Sequence, residues 1–355
     1  MKLSTERGFP MALKRVTMQD VADACDLSRN TVSKVFNGRG SVPEATRRKV
    51  LATAERLGYA LPQEKEDPPQ DASDTIAMLT GRKGLIHHFG SSFSTAFADA
   101  ISRAGKTLRI YEVSSEEIKK KELPPHLHLD QTAGILCMEL FDRSYLEMLS
   151  ELGVPVLTVD GYAGMSNEPI RYSCVYADNT VASKVLVRHI IDRGAKHPGF
   201  VGDYRHCSSF YCRWRGFRSA LEEAGLPYDP ACCILNDDAE PYDDPAWIEA
   251  QLRAMPRLPD AFFCANDFLA LKLMAAVKNM GLSIPEEVMI AGFDGSPESE
   301  VVTPGLTTSN VPIVDIGRVA AAELLYHIQK PGSPALLTLV ASTPIYRAST
   351  DRQKK

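Results

Sequence analysis

Short apolar runs that alternate with amphipathic segments organise most of this chain. The runs are Thr75–Leu79, Thr107–Val113, Gly134–Met138, Val154–Val159, Pro198–Gly202, Ala261–Ala265 and Val288–Phe293. The segments with helical spacing between them are Ala96–Ala104, Ser144–Glu151, Thr180–Arg193, Trp214–Ala224 and Asp267–Asn279. Such alternation predicts parallel sheets wound with helices. The strands are too many for one Rossmann sheet, so we expect an α/β fold with two Rossmann-like lobes and a ligand cleft at the carboxyl ends of the strands.

A different pattern, three short helices, is predicted at the N-terminus. Thr17 can cap a first helix, Met18–Cys25, and Ser28 can cap a second helix that ends at Phe36. A third helix is predicted over Glu44–Leu57. Two helices joined by a tight turn are typical of the helix-turn-helix unit, whose second helix enters the major groove of DNA.

The polar face of the second helix carries side chains suited to reading bases. Arg29, Asn30 and Lys34 project from the face opposite Val32 and Val35. Arginine suits the acceptors of guanine, and asparagine suits the edge of adenine. Further predicted DNA contacts, mostly hydroxyl or amide groups sized for phosphate oxygens, are Thr17, Met18, Thr31, Ser33, Asn37 and Thr46. Taken by spacing alone, this face could equally be the solvated side of a small helical domain.

The distribution of charge also favours a nucleic-acid contact at the N-terminus. The chain has a formal net charge of -5, yet residues 1–62 carry 11 Lys and Arg against 6 Asp and Glu. A basic head on an acidic body is typical of a DNA-binding module attached to another domain. Residues 61–74 are rich in proline and acidic residues, which predicts a linker, and residues 1–15 are predicted to be a flexible leader.

Several classes of protein are disfavoured by what the sequence lacks. No apolar run reaches about 18 residues, and the basic N-terminus has no apolar core, so neither a transmembrane helix nor a signal peptide is expected. The eight cysteines show no zinc spacing, and adjacent His87 and His88 would point to opposite faces of a strand. Phosphate-cradling and dinucleotide motifs are missing. We therefore expect no metal, no cofactor and no enzyme activity.

Specific motifs connect these patterns to a known family. The headpiece contains DVA, S-x-x-TVS-x-V-x-N, V-x-x-x-TR-x-x-V and A-x-x-LGY, and residues 16–60 resemble the headpiece of the lactose repressor (LacI/GalR) family. Farther along, AFFCANDFLALKLMAAVKNMGLSIPEEVMIAGFDG, TPGLTTSNVPIVDIGRVAAAELL and CRWRGFRSALEEAGL resemble its sensor domain. The resemblance spans residue 16 to about 350. It implies two lobes of periplasmic-binding-protein type over 75–350 that sense a ligand and dimerise, with the chain crossing between them near 175–180 and 305–315.

The resemblance also implies the residues that bind the effector. Arg213 lies three residues before the glycine of R-x-x-G-F, where the family has an effector-binding arginine. Asn266 and Asp294 lie in the ANDxxAL and GFD motifs, and Asp160 ends the VPVLTVD run. Guanidinium, amide and carboxylate groups suit a polyhydroxyl ligand. For each residue a helix cap or an inter-lobe salt bridge is the alternative role.

Three aromatic residues are predicted to line the pocket: Phe89, Tyr204 and Tyr242. Phe89 lies in GRKGLIHHFGSSF, which departs from the family's N-P-F-F stretch and is about two residues longer.

The linker between the headpiece and the sensor domain departs further from the family pattern. The family has a hinge helix whose leucine wedges into the minor groove, whereas PQEKEDPPQ contains Pro68-Pro69 and three carboxylates. No residue of this linker can be given the wedge role.

The sequence therefore predicts a cytoplasmic transcriptional regulator, and the resemblance to the family implies repression rather than activation. We expect a homodimer or tetramer on pseudo-palindromic operator DNA, with a carbohydrate or related metabolite as effector and no membrane partner. A sugar-binding protein of periplasmic type is the alternative, since it shares the lobes. The basic headpiece and the absence of a signal peptide disfavour it.

Overall fold

Two units make up the chain, Met1–Ala72 and Ser73–Lys355. The structure, a computed structural model, describes residues 16–36, 42–57, 59, 74–81, 88–165 and 169–352, without the side chains of Glu44, His88 and Phe89. The predicted leader, Asn37, the linker up to residue 73 and the ring of Phe89 lie outside the described residues.

The headpiece has the three helices that the sequence predicts: α1 (Met18–Cys25), α2 (Arg29–Phe36) and α3 (Glu44–Leu57). A reciprocal capping box begins α1, in which the Thr17 hydroxyl accepts from the amide of Asp20 at 3.4 Å and the Asp20 carboxylate accepts from the amide of Thr17. Apolar side chains from all three helices form the core: Val21, Ala22, Cys25, Val32, Val35, Val50 and Ala54.

In its described residues, the larger unit contains two parallel sheets and a small antiparallel ribbon. A six-stranded sheet has the order β10-β5-β4-β3-β1-β2, a three-stranded sheet has the order β6-β7-β8, and β11 pairs with β9. The strands are β1 (Thr75–Gly81), β2 (Thr107–Val113), β3 (Thr132–Met138), β4 (Val156–Val159), β5 (Ser173–Ala177), β6 (Pro198–Val201), β7 (Ala261–Cys264), β8 (Met289–Ala291), β9 (Thr308–Asn310), β10 (Leu337–Val340) and β11 (Thr343–Ile345).

Helices cover these sheets, as a parallel arrangement requires. They are α4 (His88–Arg103), α5 (Ser115–Lys120), α6 (Arg143–Ser150), α7 (Asn179–Asp192), α8 (Ser208–Glu223), α9 (Pro245–Ala254), α10 (Asp267–Asn279), α11 (Pro297–Val301) and α12 (Ile313–Gln329). We call the six-stranded sheet with α4, α5, α6 and α12 the first lobe, and the remaining strands and helices after residue 178 the second lobe. The predicted α/β class, with a three-helix headpiece before two lobes, is confirmed.

Along the residues that the structure describes, the chain crosses between the lobes three times. It enters the second lobe between β5 and α7, returns between β9 and α12, and crosses again between β10 and β11. The sequence did not predict the third crossing, because β10 is a short edge strand whose Leu337 and Leu339 are exposed. None of the described helices is both long enough and apolar enough to traverse a bilayer.

Candidate functional site

The second helix of the headpiece presents an exposed polar face. Arg29, Asn30 and Lys34 are exposed, while Val32 and Val35 on the opposite side are buried in the headpiece core. This segregation follows from the 3.6-residue period of the helix. The face offers one guanidinium, one amide and one ammonium group, the chemistry that reads base edges and contacts phosphates.

The other residues that are predicted to contact DNA also make hydrogen bonds or packing contacts within the headpiece, or are half-buried. The hydroxyl of Thr17 donates to the carboxylate of Asp20 at 2.7 Å, and Met18 packs partly buried against the headpiece core. The hydroxyls of Thr31 and Ser28 lie 2.8 Å apart at the start of α2. Ser33 and Thr46 are half-buried, on α2 and α3 respectively.

In the predicted effector site, the side chain of Arg213 makes three polar contacts and one contact with an aromatic ring. Its Nε donates to Oδ1 of Asn179 at 2.9 Å, its Nη1 donates to the carbonyl of Ala265 at 2.7 Å, and its Nη2 lies 3.0 Å from Oδ1 of Asp294. The guanidinium carbon lies 4.0 Å from the ring centroid of Phe293. With only 6% of the residue exposed, this is a buried cation held by three acceptors and a ring face.

The glycine that follows Arg213 by three residues explains how α8 reaches this position. Gly216 lies one turn away on the same side of α8, where α8 crosses α7. A Cβ at Gly216 would lie 2.5 Å from the carbonyl oxygen of Thr180 and 2.8 Å from Cβ of Ser183. Only glycine therefore allows this close approach of the two helices, which brings Arg213 to Asn179 at the start of α7.

Around Asp294, other polar groups collect at the carboxyl ends of β7 and β8. Asn266 caps α10, because its Oδ1 accepts from the amide of Leu269 at 2.9 Å. The buried carboxylate of Asp267 accepts from the hydroxyl of Thr308 at 2.6 Å and from the amide of Ser296 at 2.7 Å. Burial, and then the neighbouring Asp294, raise the pKa of Asp267 to about 7.

Asp160 joins this site from the first lobe. It follows β4, and its Oδ1 accepts from its neighbour's amide, Gly161, at 2.8 Å and from the amide of Ser209 on α8 at 2.9 Å. Burial raises the pKa of Asp160, although these hydrogen bonds oppose the effect. The half-buried Glu139 follows the adjacent strand β3, and its pKa is raised by burial and by the charge of Asp160.

The predicted aromatic residues have packing contacts of their own. The ring of Tyr204 stacks on Trp214 with centroids 4.4 Å apart. Tyr242 is only 5% exposed, its hydroxyl donates to the carbonyl of Asn236 at 2.9 Å, and its ring packs edge-on against Trp247. Tyr242 thus packs in the core of the second lobe, and its role as a pocket residue stays a prediction.

The site thus brings together Arg213, Asp294 and the caps Asn266 and Asp160, but it also uses residues that sequence reasoning missed. Asn179 is buried and joins three groups, since its amide nitrogen donates to Ala177 and Ser209 while its oxygen accepts from Arg213. Sequence patterns gave no signal for Asn179, because β5, which ends two residues before it, was not predicted as a strand. Among the described residues, no group of three or more His, Cys, Asp or Glu side chains could hold a metal ion.

Sequence comparisons match both parts of the chain to known families. Residues 17–61 match the model of the bacterial regulatory proteins of the lacI family, and residues 187–350 match a periplasmic binding protein-like domain. Catabolite control protein A of Priestia megaterium is 27% identical over 94% of this chain and 99% of its own length. The HTH-type transcriptional regulator CelR of Thermobifida fusca is 27% identical over 89% of this chain and 92% of its own length.

Solved structures of transcriptional regulators superpose on nearly the whole of this chain. A transcriptional regulator CelR–cellobiose complex superposes with a TM-score of 0.69 at 25% identity, covering 94% of this chain and 100% of the other. The lac repressor dimer bound to operator and an anti-inducer superposes with a TM-score of 0.68 over 95% of this chain and 99% of the other; at 21% identity it shows the shared fold.

Proposed function

We propose that this chain is a repressor of the lacI type of bacterial regulatory proteins, which binds operator DNA and releases or retains it in response to a sugar-type effector. The exposed face of Arg29, Asn30 and Lys34 carries this proposal. An exposed second helix with these three groups, in the unit that matches the lacI model, fits the major groove.

The proposed effector site surrounds Arg213 and Asp294, at the carboxyl ends of the strands of the second lobe. Relatives support the chemical class of the ligand: one solved regulator is a CelR–cellobiose complex and another, from Enterococcus faecium, has bound ribose. Donors on a guanidinium and acceptors on carboxylates match vicinal hydroxyls. Asn266 and Asp160 belong to the proposed site through their positions beside this pair, and Tyr204 and Phe89 remain candidates for its rim.

We also propose that the working molecule is a homodimer that acts in the cytoplasm and catalyses no reaction. One headpiece buries little surface, and a two-fold operator offers two half-sites. The named relatives are regulators rather than enzymes.

Selection from random DNA tests the first half of the proposal. The full chain is mixed with a random duplex library, and bound duplexes are amplified and sequenced over several rounds. We expect enrichment of one pseudo-palindromic site, bound with an affinity that falls steeply as salt rises. Recovery of unrelated sequences would contradict the proposal.

A thermal-shift screen tests the second half. Cellobiose, ribose, sugar acids and purines are added separately to the full chain, because a ligand that binds the folded state raises the melting temperature by mass action. We expect at least one sugar or sugar derivative to raise it and to change the affinity for the selected duplex. If DNA binds specifically but no such compound has an effect, the effector class is wrong.

A further inference from the structure

Helix α8, which carries Arg213, begins without a cap from its own neighbourhood. Its N-cap residue is Cys207, whose side chain makes no capping hydrogen bond. The side chain before each of four comparable helices does cap, namely Asp142 for α6, Asp178 for α7, Asp244 for α9 and Asn266 for α10. The first amides of α8 therefore need acceptors from elsewhere.

Those acceptors come from the other lobe. Oδ1 of Asp160 accepts from the amide of Ser209 at 2.9 Å, and the carbonyl of Gly161 accepts from the amide of Ser208 at 2.7 Å. Both acceptors belong to the segment after β4 in the first lobe, and both donors belong to the first turn of α8 in the second. A carboxylate at this end of a helix is also favoured by the helix dipole.

The same turn is linked to the Arg213 site. The hydroxyl of Ser209 accepts from Nδ2 of Asn179 at 3.2 Å, and Oδ1 of Asn179 accepts from Nε of Arg213. A second contact between the lobes lies just before α8, where the rings of Phe141 and His206 meet edge-on with centroids 5.1 Å apart. The start of α8 is thus held by the first lobe on one side and by the Arg213 network on the other.

We propose that Asp160 is a positioning residue that caps α8 across the lobe boundary and thereby holds the two lobes together at the start of α8, so that this cap exists only while the lobes are together. Closure of the lobes then fixes the first turn of α8, Asn179 and Arg213 in one step. Separation of the lobes removes the cap and loosens the same turn. If Arg213 binds the effector, as the proposed function states, this cap also positions the effector site. The cap itself does not depend on the proposed function.

Amide hydrogen exchange of the full chain tests the cap without any DNA or effector. The amide of Ser208 is the informative one, because it donates to Gly161 and not to Asp160. If Asp160 holds the lobes together, Asp160→Ala speeds exchange at both Ser208 and Ser209 by about fivefold to tenfold, the factor that corresponds to one lost cap. If it caps Ser209 only, exchange at Ser208 stays unchanged, and that result overturns the proposal.

Two further variants complete the experiment. Asp244→Ala removes a cap of the same kind within the second lobe, where Oδ1 of Asp244 accepts from the amide of Ala246 at 2.9 Å. We expect it to speed exchange at Ala246 and to leave Ser208 protected.

Asp160→Asn keeps the shape of the side chain but removes its charge, so it replaces the alanine variant if that variant does not fold. We expect exchange at the Ser208 amide to be about threefold faster than in wild type. Wild-type protection of Ser208 in Asp160→Asn overturns the proposal equally.

Discussion

Nη2 of Arg213 lies 3.0 Å from Oδ1 of Asp294, and this ion pair sits where β8 ends and α8 passes. The arginine is buried, while the side chain of Asp294 keeps 27% of its surface exposed. The pair therefore has a protected cation and a carboxylate that solvent or a ligand can reach. Removing one partner of a buried pair leaves the other charge uncompensated, which is costly.

Replacement of Arg213 by lysine separates charge from geometry. A lysine keeps the positive charge, but its single ammonium cannot reach Asn179, Ala265 and Asp294 in the planar fork that arginine provides. We expect Arg213→Lys to abolish the thermal shift caused by any sugar found in the screen. Arg218→Lys, on the outer side of the same helix over the ring of Trp214, is the control and should keep the shift. Retention of the full shift in Arg213→Lys would remove this residue from the proposed site.

Gly216→Ala tests whether the close crossing of α7 and α8 positions Arg213. The added Cβ would lie 2.5 Å from the carbonyl oxygen of Thr180, so α8 must move or the helices must separate. We expect a loss of about 1–3 kcal/mol in the free energy of unfolding, as for other overpacked sites, together with loss of sugar binding. Gly317→Ala crowds the first lobe instead, 2.9 Å from the carbonyl of Phe93. It should destabilise the chain similarly but leave sugar affinity within about twofold.

The buried carboxylate of Asp267 should make stability depend on pH. Its pKa of about 7 in the folded chain lies above the ordinary value of 3.8, so the fold favours the protonated form. The stability that this group contributes is fully present below about pH 4 and is lost as pH rises towards 7. Asp267→Asn cannot ionise. We therefore expect the melting temperature of this variant, relative to wild type, to rise between pH 5 and pH 8. A difference that stays constant, or that falls, would contradict the assignment.

Much of this structure could be predicted from local patterns. Helical periodicity and capping residues sufficed for α1 to α3, since Thr17 and Ser28 cap as expected. Short apolar runs that alternate with helical segments predicted β1 to β4 and β6 to β8. Strand β5, with the sequence Ser-Cys-Val-Tyr-Ala, was not predicted, because only its buried position between β4 and β10 makes this mixed segment a strand.

Long-range contacts could not be predicted in the same way. The position of Asn179 beside Arg213 depends on the approach of α7 to α8, which brings together residues 34 positions apart in sequence. Asp160 was predicted to contact the effector, with a helix cap as its alternative role. The structure shows its Oδ1 bound to Ser209 across the lobe boundary, and local sequence contains no signal for an acceptor supplied 49 residues away.

The most direct test of the central claim is the effect of Asn30→Ala on DNA affinity, measured by fluorescence anisotropy with the selected duplex and a scrambled duplex. We predict that wild type prefers the selected duplex, and that Asn30→Ala weakens that complex by about 1–3 kcal/mol while leaving the weak, salt-sensitive binding to scrambled DNA unchanged. Arg188→Ala, an exposed arginine of α7, should match wild type on both. Equal affinity of wild type for the two duplexes, or wild-type discrimination by Asn30→Ala, would contradict base reading by α2.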